Sequence, residues 1–404
     1  MTSTNKGKKK EKRSRVHCYC PCAYVILMRR SSHRRQDTIE SVLRHPPLAI
    51  ERGLSDIRYR IVTDGLQKDD PAEFCTYRPY VWSVLLQVPP MRSKDYVALI
   101  HRGASLAYSK IRNDTFRTLT TDMLFQRRVS ETSLIRILNA IAWRRWDACQ
   151  VRHHQHQLRA GKDASMNIGR RQRLSHILTP SSLYLSSSSS SLSSNTFESR
   201  NDSGSNSISS ISDVPVPVPV SELYVQGMNV LAAPFLYACA SETQAFALLD
   251  AFMHSCFPLY VRPMLDGVHL GLKLVDVFLA RFDPVLYSYL RSKSLTAELY
   301  GFASVLTLSA CTPPLSEALK LWDFLIAFGP HMNILAVIAQ LTLIRDALLS
   351  SSSPMTLLRT FPALKSESIV KLSIMFANQL PDDLYDLLVR HCYDESVSDI
   401  IKTL

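Results

Sequence analysis

A serine- and proline-rich stretch in the middle of the chain limits what the rest can fold into. Residues 150–220 hold a six-serine run from Ser186 to Ser191 and an alternating Val-Pro segment from Val214 to Val220. Polar, serine-rich sequence buries too little apolar surface to offset the entropy of ordering it. The Val-Pro repeat favours extended polyproline geometry and cannot continue a helix. The zone therefore reads as a disordered insert whose Val-Pro end is a stiff lead into the next element. Before it, residues 1–37 are a basic tail without pattern and residues 38–149 are globular; after it, residues 221–404 are globular again. Any core must then combine two zones separated by the insert. Loop-closure entropy rises only logarithmically with length, so a single domain tolerates the interruption. An unspliced intron or a misplaced gene boundary would account equally well for the insert and the tail.

The globular zones read as helical. Leu134, Ile137, Leu138 and Ile141 follow the i, i+3, i+4, i+7 spacing of one apolar helix face. Met332 to Leu349 has the apolar density of a buried helix, ended by Ser350 to Ser353 and Pro354. Leu319, Trp322 and Ile326 mark a helix begun after Pro313 and Pro314. Pro381, Asp382 and Asp383 read as a helix start, with carboxylates where the helix dipole favours them. Glycine is scarce at 12 residues, fewer than short-turn β architectures use, and no run of alternating strands is visible. The expected class is all-α.

The net charge of +12 is concentrated in the tail and the insert, in Lys6 to Arg15 and in Arg170, Arg171 and Arg173. It therefore says little about the core. The tail lacks the aromatic interleaving that reads bases, so no specific nucleic acid is expected. Nine cysteines, six of them scattered singly among apolar residues, fit a reducing compartment better than a disulfide framework. Cys18, Cys20 and Cys22 beside His17 lack a second ligand pair at zinc-finger distance, and no metal is expected. No stretch reaches the apolar length of a spanning helix, and the basic run before Cys18 to Met28 ends on Arg29 and Arg30 without a cleavage site. An intracellular, soluble protein without a transmembrane segment is expected. No glycine-rich phosphate loop is present, so nucleotide binding by a P-loop is not expected either.

Three short pieces carry chemistry: Arg78-Pro-Tyr-Val-Trp82, Ile111-Arg-Asn-Asp114-Thr-Phe-Arg117, and Tyr224-Val-Gln226-Gly-Met-Asn229. Each has a plain structural explanation alone. Arg78 and Trp82 lie one helical turn apart, Ile111, Asp114 and Arg117 recur as one helix face does, and Gln226–Gly227 suits an ordinary turn.

In this order, R-x-x-x-W, I-x-x-D-x-x-R and Y-x-Q-G-M resemble the three signature motifs of the TBC domain, found in GTPase-activating proteins for Rab-type GTPases. Leu231 to Leu236, Glu242 with Ala245 and Phe246, and Leu321-Trp322-Asp323 extend the resemblance, which runs from about Ile57 to about Leu349. It implies one all-α TBC domain of two helical subdomains, interrupted by the insert. Arg117 then matches an arginine finger and Gln226 a glutamine finger, both supplied in trans. Asp114 and Arg78 match residues that brace the arginine-bearing segment, Tyr224 the aromatic that seats the glutamine loop, and Ile111 and Trp82 complete the motifs as supporting residues. The partner implied is a Ras/Rab-like small GTPase that binds GTP and Mg2+ itself, so no cofactor is expected here. Arg117 and Gln226 lie farther apart in sequence than the family's usual gap, an excess the insert accounts for.

The strings Ile57 to Leu66, Ser133 to Ala142 and Tyr224 to Tyr237 are similar to the fungal mitotic-exit checkpoint branch of the family. That similarity implies a scaffold subunit of a two-component activator and a cytoplasmic place at the spindle pole body. It also implies that the protein is a GTPase activator and not a hydrolase itself. The competing reading is a TBC fold that binds a GTPase or partner subunit without catalysis.

Overall fold

The computed structural model describes residues 50–66, 75–175 and 216–404, with residues 160–175 as backbone only. The basic tail with His17, Cys18, Cys20 and Cys22, and the serine run Ser186 to Ser191, lie outside the described residues. Among the described residues every regular element is helical. Two compact units separate: Met1–Arg145 with Pro219–Leu404, and Trp146–Val218.

In the first unit the helix Met228–Ala238 lies at the centre, with every side chain but Val230 buried. Around it pack Arg78–Leu85, Tyr108–Thr115 and Met123–Arg128 from before the interruption, and Glu242–Cys256 and Leu315–Phe328 from after it. The two sequence zones thus share one core. Its middle is aromatic. Phe235 meets Trp82 at 5.4 Å and 80°, Trp322 at 5.4 Å and 71°, and Phe252 at 5.8 Å and 73°. These edge-to-face contacts add specific geometry to the burial of large apolar area. A second group forms where Met332–Leu343 packs on Asp266–Phe282 and Ser366–Ala377.

The expected elements are present at Leu134 to Ile141, Leu315–Phe328 and Asp382–Arg390, and Pro354 starts a new helix after the serines. Met332 to Leu349 is not one helix. It breaks at Ile344 (φ −113°, ψ 14°) and resumes at Arg345–Ser350. There the chain leaves the core, and Arg345 Nε donates to Asp283 Oδ2 at 2.6 Å.

The expectation of an unstructured insert from residue 150 is corrected in its first part. A single helix spans Glu131–Ser175. Residues 150–175 contain no proline, and their four Gln and five Arg propagate a helix at little entropic cost. Within the second unit, Gln150 Nε2 donates to the Val216 carbonyl at 2.7 Å and Gln150 Oε1 accepts from its N–H at 2.9 Å. Pro219 stands at φ −59° and ψ 143°, the polyproline geometry expected of the Val-Pro segment.

One buried ion pair ties the first helices to the last third of the chain. Arg78 Nε donates to Asp323 Oδ1 at 2.9 Å, Arg78 Nη2 to Oδ2 at 3.1 Å, and Trp82 Nε1 to Oδ1 at 2.9 Å. Burial works against the charge on Arg78, yet the Asp323 carboxylate holds its pKa above the ordinary value. Removing one partner leaves the other charge buried and alone, at a cost of about 3–5 kcal/mol. Urea denaturation of Arg78→Met is expected to show a loss of that order. A loss below about 1 kcal/mol would mean that Asp323 finds water or another donor.

Candidate functional site

The helix Tyr108–Thr115 buries Ile111, Asp114 and Thr115 and turns its other side chains outward. Ile111 is fully buried and anchors the helix on its apolar face. Beyond the helix end the chain continues as turns, and Arg117 emerges with its side chain 55% exposed. Arg117 Nη2 donates to Asp114 Oδ1. A guanidinium has five N–H donors in a rigid fork, so this contact orients Arg117 and leaves the remaining donors facing outward.

The other oxygen of the same carboxylate serves the second motif. Tyr224 is fully buried, and its hydroxyl donates to Asp114 Oδ2 at 3.0 Å. Burial first, and the Asp114 charge second, push the Tyr224 phenol well above its ordinary pKa and keep it a donor. Two residues on, Gln226 is exposed in the turn that leads into Met228–Ala238. Gly227 makes that turn with φ +100°, in the left-handed region. The backbone angle favours glycine there, and a Cβ would stand 2.8 Å from Leu306 Cδ2 and push that side chain aside.

Asn229 completes the connection. Its Nδ2 donates to Thr118 Oγ1 at 2.9 Å and to the Asp114 carbonyl at 3.3 Å. Its Oδ1 accepts from the Gly227 N–H at 3.2 Å and from the Tyr224 hydroxyl at 3.4 Å. One buried carboxamide thus bridges the arginine-bearing turn and the glutamine-bearing turn. The arrangement leaves a cationic donor and a neutral amide exposed on two turns that are joined by buried hydrogen bonds.

Arg117, Gln226, Asp114, Tyr224 and Ile111 are gathered here, and Arg78 and Trp82 are not. The expectation that Arg78 braces the arginine-bearing segment is corrected. Its guanidinium goes to Asp323 on Leu315–Phe328, and its own helix and that one both pack on the central helix. The sequence contains that signal: Asp323 is the one charge among the buried residues of an otherwise apolar helix face. Asn229 and Thr118 are bridging residues that sequence reading missed, since an Asn at a helix start is usually a local cap. Among the described residues no group of His, Cys, Asp or Glu is placed to hold a metal ion, and no helix is long and apolar enough to cross a membrane.

Comparison with known proteins gives the family. A family profile described as RabGAP-TBC, the Rab-GTPase-TBC domain, matches residues 189–349, a span that contains Gln226 and Asp323. Cell division control protein 16 of Schizosaccharomyces pombe is 40% identical over 351 residues, covering 87% of this chain and 92% of the relative. The chain belongs to the TBC family. Mitotic check point protein BUB2 of Saccharomyces cerevisiae is 36% identical over 363 residues, covering 89% of this TBC chain and 98% of the relative. The solved YPT/Rab-GAP domain of Gyp1p shares the TBC fold, with a TM-score of 0.52 at 14% identity over 80% of this chain and 92% of that one.

Asn229→Ala removes both donors and the acceptor from between the two turns. Leaving the buried partners unsatisfied is expected to cost about 1–3 kcal/mol. Amide exchange should accelerate together at residues 116–118 and 226–228. Acceleration in one turn with the other unchanged would contradict the bridge.

Proposed function

We propose that this TBC protein stimulates GTP hydrolysis on a Ras/Rab-like small GTPase by delivering Arg117 and Gln226 to its nucleotide. The observation that supports this most is the pair of exposed side chains on adjacent turns, joined through Asp114 and Asn229. GTP hydrolysis needs an oriented water and neutralisation of charge on the transferred phosphoryl. The Gln226 carboxamide accepts from the water through its oxygen and donates to a phosphate oxygen through its nitrogen. The Arg117 guanidinium, permanently charged and planar, supplies the neutralising donors. Asp114 lowers the entropy cost of placing Arg117, since the side chain is already oriented before the GTPase docks. GTP and Mg2+ stay on the GTPase, and this chain acts as an activator and not as a hydrolase by itself.

The biological setting follows from relatives named as a cell division control protein and a mitotic check point protein, matched over 92% and 98% of their lengths. On that ground the activity restrains mitotic exit or septation in a spindle checkpoint. A scaffold subunit joins this chain in a two-component activator, and the pair works in the cytoplasm at the spindle pole body.

Single-turnover hydrolysis by the partner GTPase, with and without the scaffold, tests the mechanism. Arg117→Ala is expected to reduce stimulation by about 10³-fold or more, in line with other arginine fingers. Gln226→Ala should lower the rate with GTPase binding retained. Binding without any stimulation by the unmodified chain would instead make it a non-catalytic TBC scaffold.

A further inference from the structure

Beyond the two fingers, the surface around Arg117 has a charge pattern of its own. Residues 101–130 carry six Arg or Lys side chains and two carboxylates, Asp114 and Asp122. Both carboxylates are engaged internally. Asp114 is 5% exposed and holds Arg117 and Tyr224. Asp122 accepts from the Phe125 N–H at 2.9 Å and from the Leu315 N–H at 2.8 Å. Lys110, Arg112 and Arg127 are exposed. Large apolar side chains stand among them, with Phe116 and Met123 each 64% exposed.

Lys110 and Arg112 flank the buried stripe of Ile111, Asp114 and Thr115 on the helix Tyr108–Thr115, and Phe116 and Arg117 follow directly in the turn after it. Lys110 Nζ stands 5.9 Å from the Tyr224 ring centroid. Gln126 Nε2 donates to the carbonyls of Thr118 and Leu119, each at 3.4 Å, which fixes the helix Met123–Arg128 beside the arginine-bearing turn. The result is a cationic collar with apolar anchors, continuous with the site and with no exposed carboxylate between residues 101 and 130.

We propose that this collar selects the GTPase: Lys110, Arg112 and Arg127 steer and hold a face bearing Asp and Glu side chains around an apolar recess that receives Phe116 and Met123. The proposal rests on Arg117 being the group delivered to the GTPase, and it adds the chemistry by which the partner is chosen. A charged rim raises association rates by about 10- to 10³-fold and makes them sensitive to ionic strength. A nucleic acid fits the pattern less well, since Met123 contributes neither charge nor a stacking surface to a phosphate chain.

The test uses the full chain and a panel of purified Ras- and Rab-like GTPases loaded with a non-hydrolysable GTP analogue. Kd is measured between low and high salt for the unmodified chain, for Arg112→Glu with Arg127→Glu, for Lys110→Glu, and for Phe116→Ser. These positions are exposed, and unchanged circular dichroism confirms folding. The expected result is a Kd raised about tenfold by the charge reversals, a flattened salt dependence, and a smaller salt-independent loss for Phe116→Ser. Hydrolysis at saturating protein should keep its rate in the reversed variants, so that only KM moves. Three results would overturn the collar: Kd and salt slope unchanged by reversal, a fall in kcat with KM constant, or equal affinity for a random-sequence oligonucleotide. If reversal weakens binding while the unmodified chain never accelerates hydrolysis, the collar stands and the activation reading falls.

Discussion

The two oxygens of Asp114 hold the site together. A buried carboxylate is costly unless both lone-pair sets are satisfied, and here one oxygen accepts from Arg117 and the other from Tyr224. The acceptor that orients an exposed cation is therefore the same group that seats the aromatic before Gln226. Neither turn can shift without changing the other's hydrogen bonding. Asn229 repeats the connection one layer deeper, through the Asp114 carbonyl and Thr118. The two turns that carry the exposed side chains are thereby tied by a polar network that is itself out of water, where hydrogen bonds are stronger and vacancies more expensive.

The rest of the domain serves this network by fixing one helix. Met228–Ala238 follows its N-cap Gly227 in the glutamine turn and packs on the Tyr108–Thr115 helix before the arginine turn, the Arg78–Leu85 helix and Leu315–Phe328. The Arg78–Asp323 pair and the aromatic group of Trp82, Phe235 and Trp322 clamp the far side of that helix. A buried ion pair is weak evidence for net stability, because desolvation offsets much of its attraction. Its contribution here is register: bidentate geometry plus the Trp82 donor admits one orientation of Asp323.

Helical periodicity made the all-α class legible in the sequence, and the buried stripe of Leu134, Ile137, Leu138 and Ile141 is where the spacing placed it. The helix start at Asp382 was legible from its proline and acidic pair. The helix that runs on to Ser175 was not, because the polar composition past residue 150 resembles a linker while its residues are good helix formers. At the site, Arg117, Asp114, Tyr224 and Gln226 were singled out by the resemblance to the TBC motifs. It could not reveal the Asn229 bridge or the Arg78–Asp323 pairing, since both join residues more than a hundred positions apart and only the fold decides them.

The central claim is that one carboxylate couples the two turns, and a double-mutant cycle on it is the most direct measurement. Single-turnover GTP hydrolysis by the partner GTPase would be compared for the unmodified chain, Asp114→Ala, Tyr224→Phe and the double variant, each checked for folding. If both side chains act through their shared hydrogen bond, Tyr224→Phe should cost nothing further in the Asp114→Ala background, within about twofold. Losses that multiply, each as large in the double variant as alone, would show that the arginine and glutamine turns are held independently and would contradict the account.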